Sequence, residues 1–534
     1  MHLFAKFEQT ALTHPHKPAF IYFDKNDWKT LTYAQLLDQT HRFLRGLSAC
    51  PLTPGMSAAV MTPPSAEFFP FALALLKFGI IPIILDPAIG LKKVGQILKE
   101  SQPDIFIGNT LTHLLRIVFG WGRNSIKHNL SIQSVKSRKS NVNHFILHPS
   151  SFIPAPPAAI IYTSGSTGLP KGAIYTHSNL AAQLDLLQNT FGISQDEIDL
   201  PAFPLYALID LLLGVTSVIP DITFPIPAKT DPAKVIRAIQ QFSVTNMFAS
   251  PVVLDILASF WSPAACCWRE RAPALQSLKR IITAGAPATI PLQENFRNLL
   301  DDHTNLFGIY GATESLPIAK VESREIFSLK EKTESGAGIC LGKPIKGVAV
   351  RIIRISDAAI QEWQESLSVE SNVVGEITVQ SAATTRAYVG QIGNLTYKIK
   401  LGDDIIHRTG DVGYFDEAGR LWYCGRKSHR VITKEEVLFT EQIENIFNAH
   451  PQVKRTALVG VNSEPVLWVE LEKHVRANKD KIRQALMALS QHHPQASKIK
   501  EFLFMKKFPT DVRHNSKIIR EQLAAQANKR ISSL

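Results

Sequence analysis

Residues 162–172 read YTSGSTGLPKG, and this run constrains the chain more than any other stretch. Ile160 and Ile161 before it are β-branched and apolar, as at the end of a buried strand. Thr163, Ser164, Gly165, Ser166, Thr167 and Gly168 follow. Glycine lets a backbone fold closely around an anion, and each Ser or Thr adds a hydroxyl donor. Lys171 adds a full positive charge at the far end. Backbone N–H groups, hydroxyls and an ammonium in succession make a cradle for a polyphosphate. The run is not a Walker A loop, which needs Gly-Lys-[Ser/Thr]: Pro170 precedes Lys171 and Gly172 follows it. Its ordinary reading is a Ser/Gly-rich surface loop.

A chain of 534 residues is too long for one core and suits a large domain with a smaller one. With 45% hydrophobic and 19% charged residues it is globular rather than disordered. The net charge of +12 suits anionic substrates, or a loose contact with a membrane or nucleic acid. No basic-aromatic stripe or nucleic-acid motif occurs, so nucleic acid is not expected as a partner. Cys50, Cys266, Cys267, Cys340 and Cys424 are scattered and odd in number, which excludes a disulfide framework or a CxxC metal site. The opening MHLFAKFEQT has no apolar run of signal-peptide length, and a reducing, cytoplasmic location is expected. Residues 68–87 are the most apolar, but Lys77, Gly79 and the prolines there predict a buried helix leading into a buried strand, not a membrane span.

Strand and helix patterns alternate: helix near 30–47, strand 58–61, helix 65–78, strand 80–85, helix 90–101, strand 105–107. Such alternation predicts an α/β fold with doubly wound sheets. Residues 121–144, with Arg123, Lys127, Lys136, Arg138 and Lys139, break the pattern and read as a solvated surface insertion, the alternative being a docking patch for a membrane or partner. Residues 348–355 and 374–380 alternate like strands of a smaller β subdomain. From Gln442 onward the order helix, strand, strand, helix, strand, helix predicts a compact α+β lid. The expected division is 1–427 for the large domain and 428–534 for the lid.

Five further stretches carry chemistry. A strand over 278–287 ends in Ala284, Gly285, Ala286 and Pro287, small residues that let a flat ring approach the backbone. In residues 309–314, Tyr310 can stack on an adenine face and Thr313 can donate to a phosphate oxygen. Glu314 is a hard oxygen ligand suited to Mg²⁺. Residues 407–413, HRTGDVG, set Asp411 between glycines, which predicts a turn. Arg426 follows Gly425 at the close of a strand. In FPTDVRHNSKIIREQL, Lys517 stands at the head of an expected helix carrying Ile518, Ile519 and Leu523, with Asn515 or Ser516 as its cap. A helix N-terminus and an ammonium together favour an anion.

The phosphate-binding run resembles that of the adenylate-forming superfamily, which includes acyl-CoA ligases, luciferases and peptide-synthetase adenylation domains. The resemblance implies ATP and Mg²⁺ as cofactors and an acyl adenylate as intermediate. It implies phosphate contacts from Thr163, Ser164, Gly165, Ser166, Thr167, Gly168 and Lys171. Gly285, Ala286, Pro287, Tyr310, Gly311 and Thr313 would meet the nucleotide or acyl group. Asp411 would accept both ribose hydroxyls, Arg426 would touch ribose or phosphate, and Lys517 would be the catalytic lysine, acting with Thr163 and a metal-holding Glu314. The apolar stretches 202–214 and 244–257 would line an acyl pocket. Many ligases carry His after the Pro-Leu-aromatic run, where this chain has Ala207.

Several stretches, among them FPLYALIDLLLGVTSVIP, VRIIRISDAAIQEWQESL and CGRKSHRVITKEEVLFTEQIENIFNAHP, resemble the olefin β-lactone synthetases of bacterial long-chain olefin clusters. Some relatives in this group are labelled fatty-acyl-CoA ligases. This likeness covers nearly the whole chain. It implies a fatty-acid substrate, other enzymes of a hydrocarbon-forming pathway as partners, and at most peripheral membrane contact. Ser428 falls at the family's hinge, Glu435 where thioester-forming members carry glycine, Thr440 where they carry proline, and Glu444 is kept. A glutamate beside an anionic thiol cofactor adds bulk and repulsion, which favours an intramolecular nucleophile over coenzyme A. Three readings stand: β-lactone synthesis, an AMP-forming fatty acid–CoA ligase marked by thiol dependence, and a non-catalytic nucleotide-binding relative. Lys171, Glu314, Asp411, Arg426 and Lys517 occurring together argue against the last.

Overall fold

The computed structural model describes every residue except 1–2, 86–88, 139–156, 164–169, 224–226, 261–274, 391, 473–477, 511–516 and 533–534. Short apolar runs form its strands: Ile105–Gly108 is buried at every position, as parallel strands covered on both faces must be. Among the described residues one sheet has seven strands. Its order is Ala387–Tyr388, Lys171–Thr176, Pro157–Thr163, Ile81–Ile84, Ser57–Met61, Ile105–Gly108, His128–Leu130. The strands from Pro157–Thr163 to His128–Leu130 run parallel to one another. Pro157–Thr163 and Lys171–Thr176 pair antiparallel, with Thr163 opposite Lys171. The Ser/Thr/Gly run therefore joins two antiparallel strands at the carboxyl end of a parallel sheet, where α/β folds bind ligands. Ser164, Gly165, Ser166, Thr167 and Gly168 themselves lie outside the described residues.

A second sheet of fourteen strands contains both the parallel core and the predicted β subdomain. Pro18–Asp24, Thr216–Ile219, Ile198–Pro201, Asn246–Ala249, Arg280–Thr283 and Asn305–Ala312 form its parallel part. Ser315–Glu322 and Ile339–Pro344 then lead by antiparallel pairing into Leu421–Arg426, Asp404–Phe415, Gly375–Gln380 and Ala349–Ile353. The β subdomain is thus hydrogen-bonded into the large sheet. This continuity sets residues 310–314 beside residues 407–426.

Helices follow their sequence signals. Tyr33–Ser48 starts at a capping box between Thr32 and Gln35, and His177–Phe191 at one between Thr176 and Asn179. Gly192, left-handed at φ 61°, ends the latter helix. The expected surface insertion at 121–144 is corrected over its described residues, 121–138. His128–Leu130 extends the seven-stranded sheet beside Ile105–Gly108, and Trp121 is buried. Val135, on the short helix Ile132–Ser137, is buried against the helix Tyr33–Ser48. Sparse apolar residues among many polar ones concealed a three-residue strand. Arg123 and Lys127 are exposed as expected; Lys139 lies outside the described residues.

In the C-terminal part, Val453–Val461, Glu464–Leu471 and Glu501–Met505 form a three-stranded sheet with the helices Thr440–Asn448, Lys479–Gln491 and Arg520–Ile531. Its two hydrophobic clusters draw only on residues from Val431 to Ile531. Half-buried Arg520 and buried Glu444 pair within it, and Glu444 also accepts from Leu458 N at 2.7 Å. The expected terminal helix is shorter at its start: it begins at Arg520, and Ile519 at its cap makes no side-chain bond. Ile518 instead bridges to Thr510, so Lys517 precedes the helix rather than riding on it. Asn515 and Ser516 lie outside the described residues. Gly425, at φ 129°, leaves room for the Thr440 hydroxyl, which a side chain there would strike. Cys50, Cys340 and Cys424 are buried free thiols. Among the described residues no helix is long and apolar enough to cross a membrane.

Candidate active site

Asp411 is the centre of one group of side chains. The HRTGD run was expected to turn at this residue, but Asp411 lies inside the long strand Asp404–Phe415 and is buried. The flanking glycines serve a bulge instead: Gly410 takes φ 73°, and pairing with Leu421–Arg426 slips between Val412 and Gly413. Asp411 and Arg426 are cross-strand partners, and Arg426 Nη1 stands 3.1 Å from Asp411 Oδ1. The Tyr310 hydroxyl donates to Asp411 Oδ2 at 2.8 Å. Burial raises the Asp411 carboxyl, while Arg426, Tyr310 and Lys517 oppose the rise. Lys517, remote in sequence and exposed, therefore places its charge within electrostatic reach of Asp411.

Glu314 is the centre of a second group, on the two-residue turn Thr313–Glu314 between the strands Asn305–Ala312 and Ser315–Glu322. Glu314 is buried, and Tyr388 donates to its Oε1 at 2.6 Å. Its Oε2 lies 4.0 Å from His407 Nε2. His407 Nδ1 sits 3.1 Å from the Tyr397 carbonyl, which can only accept, so Nδ1 carries the proton. Burial and the charges of Lys398, Lys171 and Arg426 hold His407 well below its usual value, so the ring is neutral. Its Nε2 lone pair thus faces a carboxylate oxygen. Two acceptors face each other here, an arrangement that a cation relieves. Among the described residues no group of three or more His, Cys, Asp or Glu encloses a metal by itself. One carboxylate completed by phosphate oxygens and water is the way Mg²⁺ is usually held, and Glu314 fits it.

Behind Glu314 stands Lys398, a buried lysine. It donates to the carbonyl and hydroxyl of Thr385 and lies 5.0 Å over the Tyr388 ring. Burial pushes its ammonium down to about 7, with Glu314 opposing. Lys171 lies 3.4 Å over the Tyr397 ring. Tyr175 donates to the Thr313 carbonyl, fixing the turn before Glu314. Gly311 packs under Leu316, where a side chain would clash. Gly285, at φ 93°, and Pro287 are exposed just past the strand Arg280–Thr283, and Ala286 is half-buried.

The two apolar stretches do converge. Tyr206 and Phe248 stack at 3.9 Å between centroids, against Leu187, Phe191, Ile282 and Ile309, with Ala284 beside them. Ala207 is buried. Asp199 and Asp210 lie buried on the neighbouring strand and helix, and burial pushes the Asp210 carboxyl up to about 7. Tyr388, Lys398 and His407 escaped sequence reasoning. His407 had one available signal, since it shares a strand face with Thr409 at period two. Nothing local marks Lys398.

Tyr310 and the buried Glu314 at the end of a parallel strand, beside the antiparallel Asp411–Arg426 pair and within electrostatic reach of Lys517, together with the family match that follows, identify an AMP-forming ligase or synthetase. The chain belongs to the AMP-binding enzyme family, whose model matches residues 7–389. It is 39% identical over 519 residues to the olefin beta-lactone synthetase of Xanthomonas campestris pv. campestris, covering 93% of this chain and 91% of that protein. It is 38% identical over 518 residues to the protein of the same name from Stenotrophomonas maltophilia, with coverage of 93% and 91%. Among solved structures it resembles O-succinylbenzoate coenzyme A synthetase from Bacillus subtilis in complex with AMP, with a TM-score of 0.75 over 97% of each chain at 21% identity, a likeness of fold.

Proposed function

We propose that this enzyme uses ATP to convert a long-chain 2-alkyl-3-hydroxy fatty acid into an acyl adenylate and then closes it to a β-lactone, releasing AMP. Identity of 39% to an olefin beta-lactone synthetase across nearly its full length carries this reading. The exposed Glu435, paired with Lys498 on the C-terminal part, supports it by adding a carboxylate where thioester-forming members would have glycine. Residues 1–427 act as the adenylation domain and 428–534 as a lid.

In the first step a carboxylate oxygen attacks the α-phosphorus of ATP and pyrophosphate leaves. Thr163, Ser164, Gly165, Ser166, Thr167, Gly168 and Lys171 hold the departing phosphates. Asp411 accepts from the ribose hydroxyls, with Tyr310 and Arg426 fixing its two oxygens. Gly285, Ala286, Pro287, Gly311 and Thr313 border the adenine and acyl groups. Lys517 sets its charge against the negative charge that develops on the α-phosphate and carboxylate. Mg²⁺, held through Glu314, would supply charge neutralisation on the phosphates. In the second step the substrate's own 3-hydroxyl oxygen attacks the acyl carbon, loses its proton, and displaces AMP. Tethering the nucleophile to the acyl group replaces a second substrate, so proximity supplies much of the rate.

Pure enzyme with ATP, Mg²⁺ and a 2-alkyl-3-hydroxy acid should release AMP and yield a product lighter than the acid by one water, with no thiol present. AMP release that requires coenzyme A, with equal turnover of plain fatty acids, would instead identify a fatty acid–CoA ligase. Absence of pyrophosphate exchange with every acid tried would identify a non-catalytic relative. Enzymes that supply the hydroxy acid and consume the lactone are the expected partners.

A further inference from the structure

The helix Thr110–Val118 turns most of its apolar residues to solvent. At 3.6 residues per turn, Leu111, Leu114, Ile117 and Val118 fall within one stripe about 120° wide. That stripe faces solvent: Leu111 is 62% exposed, Leu114 57%, Ile117 69% and Val118 68%, with Phe119 just beyond at 50%. No residue of this helix is buried. Leu115, His113 and Arg116 make up the inner face. His113 Nε2 lies 3.0 Å from the Leu130 carbonyl, Arg116 donates to the Trp121 carbonyl at 3.4 Å, and Thr112 closes the capping box with Asn109. A surface helix ordinarily presents its polar face to water. A contiguous apolar exposure marks an interaction site. Other exposed large apolar residues, such as Leu12, Phe23 and Val373, are scattered along the chain.

The charge along this part of the sequence is of one sign, although Lys136 is already paired with Glu67 and Arg138 with Cys50. No Asp or Glu occurs between Asp104 and Asp185, whereas Arg116, Arg123, Lys127, Lys136 and Arg138 do. Arg123 and Lys127 are exposed. Asp104, at the near end, is already engaged by Ser57 N at 3.1 Å and Lys127 at 3.5 Å. We propose that Thr110–Val118 and Phe119 seat the enzyme on an anionic phospholipid bilayer, the apolar stripe entering the acyl boundary and the basic residues meeting headgroup phosphates. Nine residues make a stripe roughly 14 Å long, enough to lie in the interface and far too short to span it. Two copies docked through this face would bring the exposed Arg123 and Lys127 of each together, like charge against like. A negatively charged lipid surface supplies the missing counter-charge. The seat stands apart from the chemistry, so it holds whichever product the enzyme makes.

Cosedimentation of the full chain with vesicles tests this. Phosphatidylcholine vesicles containing about one third phosphatidylglycerol should pellet the protein at low salt, and pure phosphatidylcholine or high salt should cut that partition about tenfold. The double variant Leu114→Asp/Ile117→Asp should lower partition to anionic vesicles by at least about tenfold while its unfolding midpoint stays unchanged, since both positions are solvent-exposed. No partition to anionic vesicles, or partition unaltered in the double variant, would overturn the proposal. So would a concentration-dependent dimer, seen by light scattering, that the double variant abolishes.

Discussion

Replacing Lys398 with Met tests the buried ammonium most directly. Lys398 is 6% exposed, and burial pushes its pKa from 10.5 to about 7. In the unfolded chain the amine keeps its proton up to about pH 10.4. A base whose pKa falls on folding costs stability wherever the unfolded chain holds the extra proton. The cost is absent above the unfolded pKa, grows as pH falls through the window between the two values, and is constant below about 7. At about 1.4 kcal/mol per unit, a drop from 10.5 to about 7 costs about 5 kcal/mol at neutral pH. Methionine fills the space without that cost but leaves the Thr385 carbonyl without its donor, a loss of about 1–3 kcal/mol. The variant should therefore gain about 2–4 kcal/mol at pH 7. The gain should shrink as pH rises toward 10. Denaturant unfolding of both proteins at several pH values checks this, because between pH 7 and 10 the discharge of Lys398 separates the curves, whereas the His407 ring, which Lys398 also holds down, titrates below that window. Parallel curves between pH 7 and 10 would show that the amine does not discharge on folding.

Lys517→Ala should lower pyrophosphate exchange by about 10²–10³-fold while ATP still binds, as measured by calorimetry; full exchange activity would remove the lysine from the adenylation step. Tyr388→Phe deletes the donor to Glu314 Oε1 and should cut adenylation about tenfold, with the deficit easing as Mg²⁺ concentration rises. A deficit indifferent to Mg²⁺ would separate Tyr388 from the metal-holding role of Glu314. Arg520→Met strands the buried Glu444 carboxylate and should destabilise the C-terminal part by about 3–5 kcal/mol, whereas the double variant with Glu444→Gln should recover most of that. Limited proteolysis of residues 431–531 would read the loss, and equal damage in single and double variants would refute it.

The sequence by itself determined the architecture and named the candidate site residues. Alternating apolar runs gave the wound sheets, because strand and helix periods are local properties of side-chain order. Residues 309–314 and 407–426 could be named before any fold was known. What stayed hidden had no local signature. Trp121 and His128–Leu130 looked solvated until the edge of Ile105–Gly108 gave them a partner. Asp411 looked like a turn residue because glycines flank it, yet the cross-strand Arg426 draws it into a strand. Only the tertiary structure set Tyr388, His407 and Lys398 around Glu314, since electrostatic neighbourhood depends on which strands pair and not on which residues follow one another. Only it could turn the apolar face of Thr110–Val118 outward, for a helix pattern fixes that there is an apolar face, and the packing of the remaining chain decides what covers it.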